Sequence, residues 1–143
     1  MAMEPMVTWT CPECHRHFGR RNQSHQCAPG MSKEQYFSTG TKLERQIYDA
    51  VAAHLEAVGP LHTEYVSVGI FFKRVRTFAE LRPMRNRIRL SLLLSRRLQH
   101  PRIVKTWTAR GVRNAYFIDL RDAKDVDAEL RDWLTEAYFS SPE

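Results

Sequence analysis

The chain has 143 residues, 43% of them hydrophobic, with a formal net charge of +6. That size suits one ordinary domain with a small satellite, and the apolar share excludes wholesale disorder. No apolar run approaches the ~18 residues that a membrane span needs, and "MAMEPMVTWT" lacks the basic and apolar regions of a signal peptide. All three cysteines fall within residues 11–27. An odd, clustered count argues against a disulfide framework and for a reducing, cytoplasmic setting.

The first element is the stretch "WTCPECHRHFGRRNQSHQC". Cys11 and Cys14 offer two thiolates from one tight knuckle, and His25 with Cys27 return ten residues later with a second pair. Two close pairs joined by such a loop can wrap a tetrahedral metal, and three Cys with one His is a common structural zinc set. His15 and His17 are rival fourth donors. His25 is preferred because it closes the loop from the far side. Four protein donors leave no open position for zinc catalysis, and no thioredoxin-like βαβ pattern surrounds the Cys-x-x-Cys. The expectation is a metal clamp over residues 1–30. It presents Arg16, His17, Arg20, Arg21, Asn22 and Gln23, side chains suited to phosphates and base edges.

Residues 31–41 read as a linker with one helical turn, in which Ser32 and Gln35 form a capping box. The α+β domain is expected over 42–143. Residues 42–58 predict a helix: Leu43, Ile47, Val51, Leu55 and Val58 make one apolar stripe, Thr41 caps it, and Gly59-Pro60 ends it. The period then changes to two. "EYVSVGIFFKR" and "RTFAELRPM" read as strands about a turn near Arg74-Val75. "RNRIRLSLLLS" sets Ile88, Leu90, Leu92 and Leu94 against Arg85, Arg87, Arg89 and Ser91. A short helical turn is expected at Pro101. "KTWT" and "RNAYFIDL" follow as strands about a turn at Arg110-Gly111. "DAKDVDAELRDWLTEAYF" predicts an amphipathic helix capped by Asp122, with Val126, Leu130, Trp133, Leu134 and Ala137 inward. This order favours an α+β fold: a zinc finger, then a mostly antiparallel sheet with helices packed on one face.

Charge is concentrated. Residues 73–105 hold eleven cationic residues against Glu80 alone. Lys73, Arg74, Arg76, Arg85, Arg87 and Arg89 are the candidates for nucleic-acid contact. Three arginines on one strand face stand about 7 Å apart, a spacing suited to phosphates, which arginine grips bidentately. Phe78 would add an aromatic to the face shared by Arg76, Glu80 and Arg82. The competing internal partners are the acids of the last helix, Asp125, Asp127, Glu129, Asp132 and Glu136. No Gly-rich phosphate loop or G-x-S-x-G is present, and His54, Glu56 and His62 lack zincin spacing. His54 reads as a core-edge histidine. The reading is a non-enzymatic protein that binds RNA, DNA or a nucleic-acid-containing complex such as the ribosome. The alternative is a protein–protein or small-ligand adaptor for an acidic surface.

The finger, together with "YFSTG", "VSVGIFFKRVRTFAELRP" and "HPRI", resembles a family of small bacterial proteins, best known from actinobacteria, in which an N-terminal zinc finger precedes a domain of unknown function. The second half is also distantly similar to small iron-chaperone-like α+β domains. The resemblance implies the finger and the fold and supplies no activity. One departure is His15, where such fingers usually carry Gly.

Overall fold

The structure is a computed structural model, and it describes residues 9–23, 25, 27, 29–108 and 114–141. A short hairpin, β1 (Trp9–Thr10) with β2 (His17–Phe18), opens the chain. Then come α1 (Lys33–Phe37), α2 (Lys42–Val58), β3 (His62–Val66), β4 (Gly69–Lys73), β5 (Thr77–Met84) and β6 (Arg87–Leu94). The chain continues with β7 (Ile103–Thr108), β8 (Asn114–Leu120), a 3-10 turn (Ala123–Asp125) and α3 (Ala128–Ser140). Strands β3 to β8 form one antiparallel sheet in the order β3-β4-β5-β6-β8-β7. This is the expected α+β architecture.

Alternation decides which face is covered. On β6 Ile88, Leu90, Leu92 and Leu94 are buried, while Arg87, Arg89, Ser91 and Leu93 on the other face are half-buried. The buried row meets α2 through Ile47, Val51 and Leu55, and α3 through Leu130, Leu134 and Ala137, in one core. Thr41 caps α2, as read. His54 Nε2 meets Thr135 Oγ1 at 2.8 Å, tying α2 to α3 at the core edge.

Several local readings change. Residues 31–41 hold the expected helical turn, as α1, and they pack against the domain. Ser32 and Gln35 form the capping box, Met31 bridges Tyr65, and Tyr36 is buried in the core. The Tyr36 hydroxyl donates to the Glu44 carboxylate, also buried. Burial pushes the Glu44 carboxyl up from its usual range, and the Tyr36 bond only partly opposes it. The stretch 64–74 is two strands, not one, because the chain turns at Ser67-Val68. A Cβ at Gly69 would lie 2.4 Å from the Leu81 carbonyl oxygen, so the side-chain-free residue lets β4 approach β5. Gly69→Ala is therefore expected to destabilise by more than the ~1–3 kcal/mol typical of overpacking, since backbone cannot step aside. A lowered urea midpoint at constant slope would show it.

A bulge at Phe72/Lys73 leaves Phe78 as the extra residue of β5, and its ring lies 5.5 Å from that of Tyr138 on α3. Phe78 therefore belongs to the core and not to the arginine face. The last helix is interrupted: Asp122 caps the 3-10 turn, and Asp127 caps α3 afresh. Pro101 lies in a turn. The turn expected at Arg110-Gly111 lies outside the described residues.

Candidate metal centre and the sheet face beside it

The β1–β2 hairpin carries the knuckle. Cys11 N–H donates to the Arg16 carbonyl, and His15 N–H to the Cys11 carbonyl, both at 2.9 Å. His15 pays for the tight turn with a left-handed backbone, φ 61°, the conformation that glycine adopts at least cost. The Sγ atoms of Cys11, Cys14 and Cys27 and the His25 ring nitrogen all lie within 4.8 Å of one another. Cys11 Sγ is 3.7 Å from Cys27 Sγ, and Cys14 Sγ is 3.4 Å from His25 Nε2. A tetrahedral ion with bonds of about 2.3 Å to sulfur and about 2.0 Å to nitrogen needs edges of roughly 3.8 Å and 3.5 Å. The four residues could hold such an ion.

The same geometry brings His25, of the three candidate histidines, to the thiols. His25 Nδ1 lies 2.7 Å from the Gln23 carbonyl oxygen, so Nδ1 carries the proton and Nε2 offers its lone pair toward the sulfurs. An outer carbonyl that fixes the tautomer is a recurrent feature of metal-ligating histidines. His15 is exposed, and the His17 ring bonds Thr10 Oγ1 at 2.9 Å and lies 5.3 Å from the His62 ring. Neither joins the cluster. The thiols also respond to their crowding. The backbone N–H of Cys14 beside Cys11 sulfur holds that thiol down at about 6, against its own desolvation. Desolvation and the neighbouring sulfurs push Cys27 up to about 12. A cation among them would relieve that opposition.

The finger is docked on the sheet face that the helices leave open. Arg16 Nε donates to Glu64 Oε1 at 3.2 Å, Lys73 Nζ to Glu64 Oε1 at 2.7 Å, and His17 N–H to Glu64 Oε2 at 2.9 Å. Arg16, Glu64 and Lys73 are each at most 6% exposed. Burial opposes ionisation of Glu64, yet His62, the His17 N–H and Lys73 hold its carboxyl well below the usual carboxylate range. Arg16 also lies over Phe18 and Phe71, and Lys73 over Phe18. Gly19 completes the seat: a Cβ there would meet Val75 Cγ1 at 2.7 Å. Arg16 and Lys73, expected to face a ligand, are therefore the bolts that join finger to sheet. Burial between finger and sheet desolvates both, and the Glu64 carboxylate on β3 compensates them.

The other predicted cations are distributed as follows. Arg20, Arg21 and Asn22 are exposed at the finger tip, with Gln23 half-buried behind them. Arg76 is exposed, whereas Arg74 lies 4.7 Å over the Tyr138 ring at the end of α3. Arg85 sits in the β5–β6 turn, so the strand face carries Arg87 and Arg89 without it. Both pair with Asp119 on β8, at 3.0 and 2.9 Å, and Arg89 chiefly holds the Asp119 carboxyl below its usual range. The acids of the last helix take other cations: Glu136 pairs with Arg96, and Asp127 with Arg102. Glu64, Glu80 and Asp119 lie on three different strands, β3, β5 and β8. Each faces its own cations, Glu80 pairing with Arg82 at 2.8 Å.

Residues 33–141 match the model of a family described as Domain of unknown function (DUF5655). The chain belongs to that family. No curated protein and no solved structure matches it. The Cys/His cluster precedes the DUF5655 span, but Glu64 and Lys73, which seat the finger, lie within it. No helix among the described residues is long and apolar enough to cross a membrane.

The DUF5655 sheet also supplies what the sequence reading missed. Beyond the docked finger, the open face holds a groove of about 460 Å³ lined by Thr77, Glu80, Arg82, Arg89, Ser91, Leu93, Lys105 and Phe117 among others. The register places Phe71, Glu80, Ser91, Phe117 and Lys105 in one row across five strands. Lys105 Nζ lies 5.5 Å from the Phe117 ring centre. A second cleft of about 220 Å³, between finger and sheet, shares Thr77 and Arg82 with the groove, so the two adjoin. The available signal was the period of β8, which sets Phe117 and Asp119 opposite Tyr116 and Ile118.

Proposed function

We propose that the chain is a non-enzymatic, zinc-stapled protein of the cytoplasm that binds RNA, DNA or a nucleic-acid-containing complex such as the ribosome. Zinc is the ion that suits three thiolates and one imidazole at tetrahedral separations. It would hold the finger rigid, and the Glu64 cluster would hold the finger on the sheet. The observation that carries the reading is the shared face. The finger docks beside the groove: its Arg16, Phe18, Gln23 and His25 line a cleft that shares Thr77 and Arg82 with the groove, whose other cations are Arg89 and Lys105, and Arg20 and Arg21 are exposed on that finger. Cations of arginine type, with an aromatic floor between them, suit a phosphate backbone and its bases.

Arg20→Gln/Arg21→Gln tests the finger's share. The pair is exposed, so folding is expected to change by within ~0.5 kcal/mol. Affinity for labelled oligonucleotides is expected to fall across all sequences alike, and the slope of log affinity against log salt to flatten by about 1.4, at ~0.7 per phosphate of a single strand. An unchanged slope and affinity would remove the finger tip from the interface.

The adaptor reading has its own observation. Val104 and Trp107 on the edge strand β7 are 53% and 58% exposed. Salt-insensitive binding to one protein would favour it.

A further inference from the structure

The groove of about 460 Å³ has an aromatic side chain, Phe117, in its lining. Resting on the nucleic-acid reading above, we infer that it takes an unpaired strand, laid across β5, β6, β8 and β7, with a base stacked on Phe117. Phe117 is half-buried at the centre of the groove, and its register partners are Ser91 on one side and Lys105 on the other. An aromatic ring in such a position offers a π-face, and every base has one to match. In a duplex those faces are already stacked inside the helix, so a paired ligand has nothing to give this floor.

Charge complements the stacking site. Lys105 Nζ lies over the Phe117 ring, 5.5 Å from its centre, on an exposed side chain that swings aside for a base to stack and then meets that nucleotide's phosphate. Arg82 and Arg89 are register partners one pleat along, so cations flank the ring on two sides. Glu80 and Asp119 temper this charge by pairing with Arg82 and with Arg89. Glu80 and Ser91, also register partners, set an acceptor and a hydroxyl beside the ring, which suits the polar edge of a base rather than another phosphate. The groove's volume of about 460 Å³ lies within the ~300–1,000 Å³ of sites that enclose small organic groups. Trp107, in register with Ala115, whose partner on β6 is Leu93, stands on the same face at the outer strand, where a second base would pass.

The test uses the metal-loaded chain with labelled oligothymidylate and oligouridylate of about 12 nucleotides and a duplex of equal length. The single strands are expected to bind about tenfold or more tighter than the duplex and to quench tryptophan emission. Phe117→Leu keeps apolar bulk but removes the π-face, and is expected to weaken single-strand binding by about 5- to 150-fold, the range of one lost stacking contact. Phe117→Tyr keeps the face and is expected to bind as the parent does. Circular dichroism of each variant separates loss of binding from loss of fold. If Phe117→Leu is unfolded, quenching of Trp107 in the parent, lost in Trp107→Leu, carries the decision. Parent-like binding by folded Phe117→Leu, or equal affinity for duplex and single strand, would overturn the stacking site. In that event, binding that still falls in Arg20→Gln/Arg21→Gln would leave the broader reading intact, whereas absence of binding to all three probes would end both.

Discussion

Cys11→Ser is expected to empty the metal site and unfold the finger while the sheet and helices persist. The reason is the size of the two cores. The finger's own cluster is Cys11, Cys14 and Phe18 with Trp9 against it, so two of its three buried members are candidate metal ligands. The domain core runs from Tyr36 to Tyr138 and contains no finger residue. For structural zinc, binding supplies the folding free energy of the finger, an apparent ~10–16 kcal/mol in isolated finger peptides at neutral pH. Removing one thiolate leaves three donors and an opening to water. Native mass spectrometry is expected to find one zinc on the parent and none on the variant. Hydrogen exchange is expected to accelerate over residues 9–30 and to stay slow over α2 and β4–β6. His25→Ala is expected to behave similarly, and His15→Ala to keep the metal. Full retention by Cys11→Ser would remove it from the ligand set.

Glu64→Gln carries the second large effect, and it acts on the domain as well as the finger. The carboxylate is buried between Arg16 and Lys73. Removing it leaves two desolvated cations facing each other across a neutral amide. Breaking a buried pair by deleting one partner costs about 3–5 kcal/mol, and here both cations lose the same partner. Lys73→Met is the informative contrast. It leaves Arg16 and Glu64 as a balanced pair, so a smaller loss is expected. If Lys73→Met proves the more damaging, the cluster is held by lysine packing on Phe18 and not by the carboxylate.

Acid should act in the same direction as Glu64→Gln. The folded pKa of Glu64 is depressed, against an unfolded value near ~4.3. Its contribution is therefore complete above that unfolded value and is lost as pH falls below it toward the folded pKa. Unfolding by urea at descending pH is expected to show a steeper loss in the parent than in Glu64→Gln.

The elements that were legible in the sequence are those whose cause is local. The four residues that cluster as candidate ligands lie within 17 residues, and chelate spacing restricts such a set strongly. The α2 stripe, the Thr41 cap and the alternation of β6 are likewise written within a turn or two of chain. The misplacements of Arg16 and of Arg87 and Arg89 involve partners far along the chain. Arg16 is polar and sits in a polar loop, so it read as a surface residue, but its carboxylate lies 48 residues away. Arg87 and Arg89 read as a bare rail, but Asp119 reaches them from a strand that joins β6 only after the β7 excursion. The turn at Ser67-Val68 was hidden because "EYVSVGIFFKR" keeps a strand composition on both sides of it. Phe78 changed faces because one bulge residue inverts the alternation.

The salt dependence of oligonucleotide binding by the zinc-loaded chain reaches the functional reading most directly. Anisotropy of a labelled single strand would be followed from about 50 to 300 mM salt. If Arg20, Arg21, Lys105 and the unshared capacity of Arg82 and Arg89 meet phosphates, log affinity should fall linearly with log salt. At ~0.7 per phosphate, three or more contacts give a slope of about −2 or steeper. A slope near zero, or no binding at the lowest salt, would contradict the proposal that this face meets nucleic acid.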